Sequence, residues 1–537
     1  LTVSTSAQGN SASGAVENGS ITVRSGQDMR GDAVATTDMT LGGDTWGVVS
    51  ATTQAQGNYL AVSAYDADLT VEAAQADTGG LVSATSRLGD DDARLLGGAT
   101  VNASAISNTV ALYGESYGTE LAQVYAARHP DRLTTLILDG AVDLTKTSIE
   151  FWADAAHGFE TVLSDTFAAC RADAACRDDV ADPAAEYRRA LGRFATPRDV
   201  SYGDPDGVVR PHTVTASGIE AAVGSLLYEP AGRMLIQRAI AASARGESVP
   251  LARLVAAVGS GGISGVSTFA YHAILCADYR VSPTADPGDI AAVEQAAKAA
   301  GVTRLRTDEV FTAQYPCLFW PFQPADGTRP AALTTTPFPV FVLGSTGDPI
   351  TPIGQARTIA GRLTDGYLVE TRGGPHVTFG RGETCVDQPI VDFLLREVRP
   401  ASRSMSCFGE VASPYIPLDP TTAAGYEDAL DVMIGAEDEL FTSPYYLFWP
   451  GTDDLQIGCR HGGFIAITPA TLGDNLRFAE CAVVPGLALT GSGTYSFGGD
   501  LVRWTVHAPD GELEYVASGD LRRVTGTWQG EEVDISR

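Results

Sequence analysis

The stretch VALYGESYGTELAQVYAARHPDRLTTLILDG, residues 110–140, constrains the fold of this chain more than any other. Residues 110–113 read as a buried strand. Gly114-Glu115-Ser116-Tyr117-Gly118 then imposes a sharp turn, because glycine has no Cβ and tolerates close backbone approach. Leu121, Val124, Tyr125 and Arg128 recur at helical spacing, Pro130 ends the helix, and 133–140 reads as a second buried strand. A serine at the apex of strand, turn and helix presents its hydroxyl above the end of a sheet. The same turn aims the Tyr117 backbone N–H at an oxyanion. The chain has 58 glycines, so a bare G-x-S-x-G is weak and the flanking strand and helix carry the reading. The alternative is a glycine-rich turn with no chemistry.

A nucleophilic serine needs a base and an acid that orients it, in the chain order Ser, acid, His. PVFVLGSTGD (339–348) and GYLVETRGG (366–374) read as two more strands. Asp348 ends the first, and His376 follows the second within RGGPHVTFG. Asp348 would fix the His376 tautomer and His376 would take the Ser116 proton. Taken singly, Asp348 could equally be an Asx-turn aspartate and His376 a loop histidine. Asp139 also ends a strand and is a rival acid, but it follows the serine too soon for that order. His129, His157, His212, His272, His461 and His507 lack such settings and read as surface or core residues.

Around this centre the chain changes character twice. Over 109–408 helices and strands alternate, the mark of an α/β fold, and 150–330 is mostly helical, placing a cap between the second and third strands. Over 409–537, after one helix, short strands with Gly and Asp-Gly turns predict a small antiparallel sandwich or barrel. Residues 1–108 hold a repeat: AQGNSASGAVENGSITVRSGQ (7–27) aligns with AQGNYLAVSAYDADLTVEAAQ (55–75) at an offset of 48. Small apolar residues alternate with polar ones in each copy, and a third opens at 105–112, which predicts a stacked β-solenoid with ladders of Asn and Gln. This part weakly resembles bacterial surface repeats of the holdfast-anchor or curli-like kind.

The charge balance is 36 basic against 66 acidic residues, a net −30, which disfavours nucleic acid and anionic membrane as partners. It draws in cationic substrates, such as a peptide with a free amine, only weakly. The eight cysteines form no CxxC and have no histidine at zinc spacing, so no metal is expected. Consecutive pairing would close Cys170–Cys176, Cys276–Cys317, Cys385–Cys407 and Cys459–Cys481 and imply an oxidising compartment. Scattered buried thiols are the alternative. No apolar run nears the ~18 residues of a membrane span, and no signal peptide is visible ahead of Leu1.

YGESYGT, YAARHPDRL, LDGAVD, AILCADYR, YPCLFWP, GDPITP and GGPHVTFG occur in the order found in the tripeptidyl aminopeptidase-like serine hydrolases. The chain resembles this family over about 109–408, and the β-rich C-terminus looks like an accessory of some members. The resemblance implies an α/β-hydrolase fold with a helical cap and a Ser116, Asp348, His376 triad. It also implies disulfides 276–317 and 385–407, and removal of short N-terminal segments from peptides through an acyl-enzyme. The mechanism calls for no cofactor, and oligomeric state is not legible. YPCLFWPFQP (315–324) would line the cleft or simply pack the cap, and Glu220, Glu229 and Asp278 are candidates for holding a substrate amine.

Members of this family carry three or four strands and a HGGPG-type loop ahead of the nucleophile, which supplies the second oxyanion N–H. Here only Gly97-Gly98 precedes it, inside the repeat, so the hydrolase core is expected to lack its N-terminal strands. A lost oxyanion donor costs on the order of 10²–10³ in rate. Two further readings follow: a non-catalytic surface or adhesion protein with a vestigial hydrolase module, or an artificial joining of 1–108 to 109–537.

Overall fold

The computed structural model describes residues 110–259, 268–282, 286–303, 307–321, 330–497 and 499–537, and the backbone of nine strands within 1–109. Two compact units divide the chain. The first holds Leu1–Leu138, Pro330–Phe341 and Arg362–Tyr367, and the second Asp139–Arg329, Val342–Gly361 and Leu368–Arg537.

The N-terminal strands are β1 (Thr2–Ser6), β2 (Ser11–Glu17), β3 (Ile21–Arg30), β4 (Asp32–Leu41), β5 (Val48–Gln54), β6 (Tyr59–Tyr65), β7 (Glu72–Asp77), β8 (Val82–Arg87) and β9 (Ala99–Ser104). They form two sheets, ordered β1-β2-β5-β6-β9 and β4-β3-β8-β7. The 48-residue offset reappears in this topology. Each copy gives its first and last strands (β2 and β5, then β6 and β9) to one sheet, and its middle hairpin (β3-β4, then β7-β8) to the other. All of these pairings are antiparallel. The solenoid stacking, the amide ladders and the Gly97-Gly98 loop fall on side chains and connections outside the described residues.

The α/β sheet has the order β10-β11-β14-β15-β16, with β10 (Val110–Glu115) at one edge, then β11 (Leu133–Asp139), β14 (Val340–Ser345), β15 (Gly366–Arg372) and β16 (Ser404–Phe408). In the first unit the Leu136 N–H and the Thr135 hydroxyl both donate to Pro339 O, at 3.2 and 3.0 Å, and the Val340 N–H donates to Asp365 O at 2.9 Å. In the second, β15 and β16 run parallel with Leu368 opposite Ser404 and Arg372 opposite Phe408. All six residues of β14 are buried, as a central strand covered on both faces requires. Sequence periodicity anticipates the first four strands. It misses β16, whose SMSCF is only five residues long and mostly exposed.

The insertion is helical, as expected, apart from a hairpin of β12 (Arg198–Gly203) and β13 (Val209–Val214). Its longest helix, Ser148–Ala172, starts at a capping box in which Thr147 and Glu150 satisfy each other's N–H groups. The helix Pro230–Ala244 is buried from Gly232 to Ser243 and runs through a core of Phe159, Phe194, Leu226 and Leu254.

The C-terminal strands, between Leu455 and Ser536, form one eight-stranded antiparallel sheet in simple sequential order. This is neither sandwich nor barrel, because a helix supplies the second layer. Helix Ala429–Phe441, capped by Asp428, buries Leu430, Met433 and Leu440 in the same core as Ile465, Phe478, Trp504 and Tyr515. Alternation within a strand gives the inward row: Val502, Trp504 and Val506 are buried. Buried ion pairs join this layer to the cap. Arg253 reaches Glu439 at 2.7 Å, Arg460 reaches Glu439 and Asp419 at 2.9 and 3.0 Å, and Arg238 reaches Asp419 at 2.8 Å. Disulfides close Cys170–Cys176, Cys276–Cys317, Cys385–Cys407 and Cys459–Cys481.

Candidate active site

Ser116 sits between β10 and the helix Gly118–Arg128 with φ of +52°, a left-handed conformation that L residues rarely adopt. Strain of this kind, of order 1–3 kcal/mol, persists only where surroundings enforce it. Here the Ser116 carbonyl accepts the Thr119 N–H at 3.0 Å and the Thr119 hydroxyl at 2.6 Å. Gly114 makes the turn possible: a Cβ there would lie 2.5 Å from Gly118 O and 2.9 Å from the Ala122 methyl. Gly118 differs from expectation, since among the described residues a Cβ there meets nothing within 4 Å. Among the described residues, space therefore demands Gly114 and not Gly118. Tyr117 opens the helix in a right-handed conformation, and its side chain is exposed.

Asp348 and His376 are brought together in the second unit. The His376 Nδ1–H donates to Asp348 Oδ2 across 2.8 Å. The other carboxylate oxygen, Oδ1, accepts the Ile350 and Thr351 N–H groups at 3.0 and 2.8 Å, and the Thr351 hydroxyl donates to Oδ2 at 2.6 Å. The carboxylate thus holds its own turn through Oδ1 and bonds both Thr351 and His376 through Oδ2. With Nδ1 carrying the proton, His376 Nε2 is the ring's basic lone pair. That atom is buried and has no hydrogen-bond partner among the described residues. Burial alone lowers the imidazole pKa. The Asp348 charge and hydrogen bond more than offset this, so the pKa stands above the ordinary histidine value.

Asp139 does not serve as the orienting acid. Its buried carboxylate accepts the Thr378 N–H at 2.9 Å, the Thr378 hydroxyl at 3.1 Å and the Phe379 N–H at 2.7 Å. It anchors the chain just beyond His376, and burial raises its pKa against those bonds. Gly140, next in sequence, has φ of +63°, and a Cβ there would come within 3.0 Å of His376 Cε1. On another side the Tyr228 ring meets the imidazole edge-on at 5.3 Å, and Tyr228 O accepts the His376 N–H at 2.9 Å.

Sequence reasoning misses Arg233. Its fully buried guanidinium donates to Leu227 O and Gly374 O at 2.8 Å, to Val411 O at 2.9 Å, and to Gly347 O. Burial lowers its pKa to about 10, which leaves it a cation at neutral pH. No spacing rule marks it, since an arginine one turn into a helix ordinarily faces water. Thr351 is different: a threonine three residues after an aspartate is a legible turn signal. Of the candidate amine-binding residues, Glu229 is engaged by a two-pronged pair with Arg381 at 2.7 and 3.0 Å. In the aromatic run, Phe319 is exposed whereas Trp320 packs on the core around Phe151 and Tyr279. The described residues hold no cluster of three or more metal-ligating side chains, and no described helix is long and apolar enough to cross a membrane.

Two families match the chain. One, described as holdfast attachment protein D, matches residues 1–128, and the other, described as TAP-like protein, matches residues 305–407. Serine protease Hip1 of Mycobacterium tuberculosis is 27% identical over 314 residues, which cover 56% of this chain and 58% of that protein. Carboxylesterase B of the same organism is 28% identical over 300 residues, 52% of this chain and 53% of the relative. The chain therefore spans little more than half the length of these relatives. The N-terminal match agrees with the resemblance to surface repeats and runs on through Ser116 to the end of the first helix. Residues 305–407, which hold Asp348 and His376, are thus similar to TAP-like proteins, and a little over half of the chain is similar to a serine protease and a carboxylesterase.

Proposed function

We propose that this protein is a serine hydrolase acting outside the cytoplasm, as a secreted, periplasmic or surface exopeptidase on peptides with a free N-terminus. Ser116 attacks the acyl carbon, His376 takes its proton through Nε2, and Asp348 stabilises the imidazolium that forms. The Tyr117 N–H donates to the oxyanion. The leaving amine receives the proton from His376, and water activated by the same nitrogen releases the acyl group from Ser116. The observation that carries this reading is the Asp348–His376 bond at 2.8 Å, with Nε2 buried and unsatisfied among the described residues. A buried polar atom left without a partner costs about 1–3 kcal/mol, a cost that a reacting proton would recover. Four disulfides support a compartment outside the cytoplasm. With Tyr117 as the single assigned oxyanion donor, turnover on the order of 10²–10³ below a two-donor enzyme is expected.

Release of p-nitroaniline from tripeptide anilides tests the proposal. Hydrolysis of the free-amine substrate, loss of it in Ser116→Ala, and at least tenfold slower hydrolysis of the N-acetylated substrate support it. Equal rates on both substrates remove the exopeptidase specificity. A second reading rests on the holdfast match, which extends through the serine turn itself. In it the chain is a surface-attachment protein and the hydrolase part is vestigial. Retained surface attachment with no Ser116-dependent hydrolysis would favour it.

A further inference from the structure

Arg233 is fully buried and, among the described residues, hydrogen-bonds no carboxylate, although the charges of Glu229, Asp348 and Asp165 act on it. Among the described residues every hydrogen bond it makes is to a backbone carbonyl, and each of those carbonyls lies on a segment that borders the acid–base pair. Gly347 immediately precedes Asp348. Gly374 is two residues before His376. Leu227 adjoins Tyr228, whose carbonyl accepts the His376 N–H at 2.9 Å and whose ring lies against the imidazole. Val411 follows β16, where the Gly374 N–H bonds Glu410 O at 2.8 Å. There is no slack between these parts: a Cβ on Gly347 would sit 2.3 Å from Gly374 O and 2.7 Å from an Arg233 nitrogen. The loops after β14 and β15 leave neighbouring strands and also bond each other directly, through the Gly347 N–H to Gly373 O at 3.0 Å, the Gly373 N–H to Thr346 Oγ1 at 2.8 Å and the Ser345 hydroxyl to Pro375 O at 2.6 Å; Arg233 adds a bond to each loop from a single rigid group.

A planar fork with donors on three nitrogens can span four carbonyls at fixed angles, whereas an ammonium radiates its donors from one point. Ordinary scaffolding would be served more cheaply by an apolar side chain, because burying a charge is costly. The position of the four carbonyls explains why a guanidinium is retained. We infer that Arg233 is a positioning residue for the reaction proposed above, holding the Asp348 and His376 loops at the separation that aligns the Nδ1–H with the carboxylate. It reaches the chemistry only through those loops and touches no substrate.

The inference rests on the hydrolase reading for its importance, but its first test does not depend on Ser116. In the full-length Ser116→Ala chain, the low-field Nδ1–H resonance of His376 and the histidine titration are followed by NMR with and without Arg233→Lys. The lysine variant keeps the charge and loses the fork. The expected result is loss or broadening of the low-field resonance and a fall of the His376 pKa toward that of a free imidazole. A folded variant with the resonance and titration unchanged overturns the inference, whatever its melting temperature. A purely structural role would lower the melting temperature and leave the titration alone. On the Ser116 chain, Arg233→Lys is expected to lower kcat by about 10²-fold with KM within twofold, as for a small misplacement of catalytic groups. Arg233→Gln is expected to lose as much, so loss in the neutral variant alone would assign the effect to charge and overturn the fork. Should neither variant fold, urea titration of the unaltered chain decides. Loss of the slowly exchanging Arg233 guanidinium protons together with the His376 resonance supports the clamp, and survival of that resonance after those protons are lost contradicts it.

Discussion

The two halves of the proposed site are held in different ways. His376 and Asp348 are enforced from many directions: Asp139 anchors the chain beyond the histidine, Thr351 and two backbone N–H groups fill the carboxylate, and Arg233 grips both loops. Around Ser116 the contacts among the described residues are local. Its carbonyl is held by Thr119, and the strained φ relies on the room that Gly114 leaves. The helix that follows carries Leu121 at 65% exposed and Tyr125 at 38%, and Tyr113 and Tyr117 are exposed to a similar degree. A base and its orienter can thus be fixed by buried polar networks, while a nucleophile turn can be fixed by backbone sterics over a few residues. The two devices fail to different substitutions.

The largest contrast should appear in rate. Asp348→Asn keeps the turn but favours the wrong histidine tautomer, and kcat should fall on the order of 10⁴-fold, measured on an activated ester. A retained rate would show that the pair is structural. The same variant tests the pH dependence. His376 must be neutral to act as base, and its pKa is raised by Asp348, so the acid limb of kcat/KM should lie above the ordinary value of about 6.5. Activity is then lost as pH falls through that raised pKa, and the limb should move down in Asp348→Asn. For stability the sign is opposite. The pair's contribution is full below the unfolded pKa and is lost as pH rises through the folded one.

Asp139→Ala comes next. It leaves two buried N–H groups and a hydroxyl without their acceptor, and should cost about 3 kcal/mol in urea unfolding. A loss under 1 kcal/mol would mean that the histidine loop is held without it.

Much of this arrangement was legible in the sequence. Apolar runs gave the first four strands of the α/β sheet, and the strand ends placed Asp348 and His376. The 48-residue repeat predicts strands at equal spacing, but the division of β2 to β9 between two sheets is not read from it. What escaped was set by tertiary partners. The strand β16 is defined by its register with β15 and not by its own short, mostly exposed sequence. Asp139 ends β11 and Asp348 lies in the loop after β14; chain order ranks Asp139 behind, and the fold shows that its carboxylate holds the Thr378 and Phe379 backbone while that of Asp348 bonds His376. The inward course of Arg233 depends on four carbonyls distant in sequence, which no local pattern encodes. The single layer of C-terminal strands likewise depends on helix Ala429–Phe441 covering it.

Smaller effects sharpen the view of the serine side. Gly114→Ala forces a methyl against the Gly118 carbonyl and should destabilise by about 1–3 kcal/mol, while Gly118→Ala should change stability by less than about 0.5 kcal/mol. Equal effects in thermal unfolding would contradict the assignment of the turn to Gly114 alone. The smallest effect is expected at the exposed face, where Leu121→Ser should stay within about 0.5 kcal/mol. A cost near 2 kcal/mol would show that this face is covered in solution.

The central claim is that Ser116 is activated by the Asp348–His376 pair. Labelling of the folded, full-length chain with a fluorophosphonate, followed by peptide mass mapping, tests it most directly. A single adduct on Ser116 is predicted, absent in Ser116→Ala and formed at least 10³-fold more slowly in His376→Ala. No Ser116 adduct on folded protein, or one that forms as fast without His376, would contradict it.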